Sequence, residues 1–68
     1  MIDWHLTILL LRKYYGADWK IAKQVRCRGS MIKDLAGKQN EPRFSLGVRI
    51  IDLAYDILPK DEFKRIKI

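Results

Sequence analysis

The sequence predicts an all-α protein, a small bundle of four or five short helices, and three observations carry that prediction. Apolar residues recur at helical spacing in several separate runs, the first being Trp4, Ile8, Leu11 and Tyr15. Aspartate or serine stands before most of these runs and glycine or proline after them, as helix ends require. The 68 residues are 49% hydrophobic, too apolar for a disordered tail and enough for one compact domain over residues 1–68.

Asp3 suits the N-cap of a first helix starting near Trp4, and Gly16 is its natural C-terminal stop. A second helix begins at Asp18, whose carboxylate also suits an N-cap, and turns Ile21, Ala22 and Val25 inward. A third opens near Gly29 or Ser30, with Met31, Ile32, Leu35 and Ala36 as apolar positions, and closes at Gly37. Residues 38–44 (KQNEPRF) form a polar loop around Pro42. Ser45 caps a fourth helix over 46–58, stopped by Pro59. That helix carries two apolar stripes. Leu46, Ile50, Leu53 and Ile57 form one; Val48, Ile51, Tyr55 and Leu58 form the other, which faces either the protein's own core or a partner subunit. The tail reads as a helical turn or irregular chain. Ile66 and Ile68 also alternate as a short strand would, and such a strand would need a partner, expected from a second subunit. Trp4, Tyr14, Tyr15, Trp19, Phe44, Tyr55 and Phe63 are expected in the core or a dimer interface.

Net charge is +6, and its distribution is uneven. Residues 18–43 hold seven basic and three acidic side chains, a net of +4, whereas the segments on either side hold +1 each. A localised positive patch is the electrostatic footprint of a polyanion partner. Several function classes are disfavoured. One cysteine makes no internal disulfide, and nothing resembles a secretory signal, so a reducing cytoplasm is expected. The apolar run 6–11 is too short to span a membrane. His5 is the single histidine, Cys27 has none near it in sequence, and Asp52 with Asp56 has no company suggesting a cleft. No enzyme, metal, cofactor or small-molecule substrate is expected. A small core with surplus apolar surface favours a homodimer.

The middle segment explains the basic excess. Ala22 and Ile32 lie ten residues apart, with Leu35 three beyond. A helix-turn-helix needs a small residue where its two helices cross closely and a branched one on the inner face of the second. Cys27 then falls at a buried turn position, as a small hydrophobe. This register leaves Arg28, Gly29, Ser30 and Lys33 at the start and on the outer face of the second helix, where side chains reach base edges in a major groove. Arginine can bond guanine O6 and N7 together, so Arg28 leads, followed by Lys33; Ser30 is equally readable as a plain N-cap, and Gly29 allows close backbone approach. Arg26, Lys38, Asn40, Arg43 and Ser45 suit phosphates. Asp34 reads as an exposed charge pairing with Lys38.

The pattern "IAKQV…GSMIKDLAGK…PRFSLGVRIIDL" resembles the Cro/CI-type helix-turn-helix family of phage and prophage repressors, over roughly residues 7–58. The resemblance implies a lambda-repressor-like domain that binds operator duplex DNA as a homodimer and regulates transcription. That family usually has glycine at the first turn position, where this chain has Arg26. A non-glycine residue held left-handed costs ~1 kcal/mol, which leaves open a turn built in another way. Gly37 also arrives about one residue early. The alternative function is a protein-interaction module, a helical adaptor or antitoxin-like partner using the same fold.

Overall fold

The computed structural model describes residues 2–37 and 41–67. Five helices follow one another: α1 (Trp4–Tyr15), α2 (Asp18–Val25), α3 (Gly29–Ala36), α4 (Phe44–Ile57) and α5 (Lys60–Arg65). Among the described residues there is no strand, so the chain is all-α. Asp3 opens α1 as expected, its carboxylate accepting from Leu6 N at 3.0 Å. Gly16 closes it at φ 83, the left-handed conformation that glycine adopts without penalty.

Two expected caps are corrected. Asp18 is the first residue of α2, behind an extended Ala17, and its carboxylate grips Arg12 through Nε–Oδ1 (2.6 Å) and Nη2–Oδ2 (3.0 Å). A two-point pair to a guanidinium outcompetes a single cap bond. Ser45 lies inside α4, which starts at Phe44 behind Arg43. Pro42 and an extended Arg43 launch this helix early, and the Gly47 N–H already bonds the Arg43 carbonyl at 2.8 Å.

The core is aliphatic. Ile8, Leu11, Ile21, Val25, Ile32, Leu35, Ile50 and Ile66 are fully buried. Thr7 joins them, its hydroxyl donating to the Asp3 carbonyl at 2.7 Å. Helix α3 packs against both α1 and α2, while α4 covers α1 and α2 and carries α5. Four of the aromatics expected in the core or a dimer interface are not in the core: Tyr14, Trp19, Phe44 and Tyr55 are 48%, 62%, 87% and 72% exposed. Branched aliphatics fill so small an interior, and Trp4, Tyr15 and Phe63 pack only at its edge. Met31, expected inward, is also exposed. The second stripe of α4 divides: Leu58 is buried and Ile51 half-buried, but Val48 and Tyr55 face outward.

The tail forms α5 and then makes one isolated antiparallel bridge, Lys67 to Ile2 of the same chain. The Asp3 N–H donates to the Ile66 carbonyl at 2.7 Å. The pairing thus comes from the protein's own start and not from a second subunit. Ile68 lies outside the described residues.

Candidate nucleic-acid interface

The site is built on the corner between α2 and α3. Arg26 takes φ 59 and ψ 52, a left-handed residue without glycine's freedom. That conformation brings two successive N–H groups, of Arg26 and Cys27, back to the Ala22 carbonyl, the latter at 3.0 Å. The turn is therefore left-handed after all, with arginine bearing the strain. Arg49 of α4 completes it by donating from Nε to the Val25 carbonyl at 2.8 Å. Ala22 is buried beneath the corner, and Ile32 and Leu35 fix the inner face of α3. Cys27 is only half-buried, its thiol 3.5 Å from the Arg28 carbonyl. Burial pushes that thiol's pKa up, and the nearby Arg49 charge acts against the shift.

Helix α3 is anchored at its far end by α1, where His5 donates from Nδ1 to the Ala36 carbonyl. Gly37 follows at φ −70, so it stops the helix without turning left-handed, and its N–H bonds the Lys33 and Asp34 carbonyls at 3.1 and 3.2 Å. At the near end Arg28 is the N-cap residue, and no side chain caps α3. Ser30 is the second residue of the helix, exposed, which removes the plain N-cap reading. Helices α2 and α4 also open without a side-chain acceptor. In α3 the Met31 N–H is taken by the Arg28 carbonyl at 3.0 Å, so what the three helix starts share is the lack of a side-chain cap.

Five of the predicted site residues fall into two adjoining concavities. Arg28, Ser30 and Arg43 line one, with Cys27, Met31 and Asp34. Gly29, Ser30 and Lys33 line the other, with Asp18 and Trp19. Ser30 belongs to both. Arg28, Lys33 and Arg43 are exposed, and Arg43 reaches the α3 concavity from the start of α4. Arg26 and Ser45 are exposed but line neither concavity. Lys38 and Asn40 lie outside the described residues, and with Lys38 goes its expected pairing with Asp34.

No family model, curated protein or solved structure matches this chain. Its functional reading therefore stands on its residues. Among those described, no three His, Cys, Asp or Glu side chains gather as a metal site, and no helix is long and apolar enough to cross a membrane. Three contributors escaped the sequence reading: Trp19 beside Gly29 and Ser30, Arg49 on the turn, and His5 on the end of α3. The bonds of Arg49 and His5 span 24 and 31 positions, a separation no local pattern reports.

Proposed function

We propose that this protein is a sequence-specific duplex-DNA-binding regulator of the Cro type, acting as a homodimer with α3 lying in the major groove. The observation that carries this reading is the outer start of α3, where Arg28, Ser30 and Lys33 stand exposed around a rigid corner with Arg43 beside them. Arg28 and Lys33 contact base edges, Ser30 a base or phosphate, and Gly29 lets the backbone come close. Arg43, Arg26 and Ser45 serve phosphates together with the uncapped start of α4, and Lys38 and Asn40 are assigned the same role. Affinity then comes largely from counterion release and sequence choice from α3.

Selection from a random duplex pool at two salt concentrations tests this. The expected product is a near-palindromic site with half-sites about one helical turn apart. Arg28→Ala should weaken the selected complex by ~1–3 kcal/mol and relax one base position, whereas Arg43→Ala should weaken every duplex alike and reduce the salt slope by about one. Salt-sensitive binding with no enriched site would refute sequence recognition. A second reading, a protein-interaction module, has one observation in its favour. Phe44 projects beside an apolar groove lined by Trp4, Pro42, Gly47, Val48 and Ile51.

A further inference from the structure

Trp19 is a wide indole, 62% exposed, one residue inside α2, and packing does not account for it. It forms one wall of the notch that Gly29, Ser30 and Lys33 share. The floor is open: Gly29 has no Cβ, and nothing lies within 4 Å of where one would stand. Asp18 also borders the notch, but its carboxylate is held at two points by Arg12, so it brings no unpaired negative charge. Lys20 holds its Nζ 5.6 Å from the indole centroid, a cation over the ring.

An apolar recess set among base-reading polar groups matches one chemical feature of the major groove. The C5-methyl of thymine is the apolar group that base pairs present there. We propose that the notch between Trp19 and Gly29 receives this methyl group, which makes Trp19 a specificity-determining residue for a 5-methylpyrimidine. The inference rests on the DNA-binding reading above. Trp19 supplies the wall, Gly29 the clearance and the Lys33 stem the far side. Lys20 meets the adjoining phosphate.

The test uses the site recovered from the random pool, with each thymine replaced in turn by deoxyuridine, which lacks only the methyl. Anisotropy titrations compare the wild-type chain, Trp19→Ala and Gly29→Ala. Wild type should bind about four-fold more weakly at one substituted position per half-site, the factor for one buried methyl-sized group. Trp19→Ala should bind the thymine and deoxyuridine sites equally. Gly29→Ala should also lose the difference by filling the floor, yet melt no lower, because alanine favours helix. A recovered site indifferent to every deoxyuridine overturns the inference alone. So does a methyl effect that survives in Trp19→Ala, or a Trp19→Ala loss equal on selected and random duplex, which would put the indole on the backbone. Recovery of no site overturns the DNA reading and this inference with it.

Discussion

Arg26 sits where a backbone without a Cβ would be unstrained. Replacing it by glycine should release about 1 kcal/mol of left-handed strain, reduced by the extra freedom glycine gives the unfolded chain. The expected result is a small rise in the urea midpoint and, on the proposed DNA-binding function, weaker binding to all duplexes because a cation is gone. Arg49 behaves oppositely. Arg49→Ala leaves the Val25 carbonyl without its partner and should cost ~1–3 kcal/mol in denaturant titration, although Arg49 is a surface residue by exposure. Gly47 marks another close approach. A Cβ there would stand 3.2 Å from the Trp4 ring, so any larger residue must displace the indole.

At the level of elements, α5 is tied to α1 by a small polar cluster. Glu62 accepts from Lys13 Nζ at 3.1 Å and from the Tyr14 hydroxyl at 2.9 Å. The Tyr14 hydroxyl, then Lys13, hold the Glu62 carboxyl below its ordinary value of 4.5. Its contribution is therefore complete above pH 4.5 and disappears as pH falls through the lowered value. Melting of the wild type and of Glu62→Gln should accordingly differ at neutral pH and converge in acid. Local pattern was enough to place α1, α2 and α3, because Asp3, Gly16 and the spacing of Ile21, Ala22, Val25, Ile32 and Leu35 are local. The sequence leaves the turn at Arg26 open, and Arg49 completes it from 24 positions away. The start of α4 was misplaced because Ser45 resembles a cap, whereas the backbone of Pro42 and Arg43 decides where the helix begins. Periodicity also could not say which stripe of α4 is covered, since Val48 and Leu58 share a stripe and only Leu58 is buried.

For the molecule as a whole, 68 residues imply a stability of roughly 3–10 kcal/mol, from ~0.05–0.15 kcal/mol per residue. One cavity is then a large fraction of the total. Leu35→Ala, at a fully buried position, should cost ~2–5 kcal/mol and remove most of the cooperative thermal transition seen by circular dichroism. The basic corner was legible in sequence because its spacing is local; its boundary with Trp19 was not, because only folding brings the start of α2 against the start of α3.

The bridge between Ile2 and Lys67 gives the fold a mechanical direction. Tension applied between these two positions in an optical trap would load that bridge and the Asp3–Ile66 bond one after the other, as a zipper opens, and not together in shear. The weakest link yields first under such loading. Helix α5 should peel from α4 at low force, followed by a separate and larger rupture when the interior of α1 to α4 gives way.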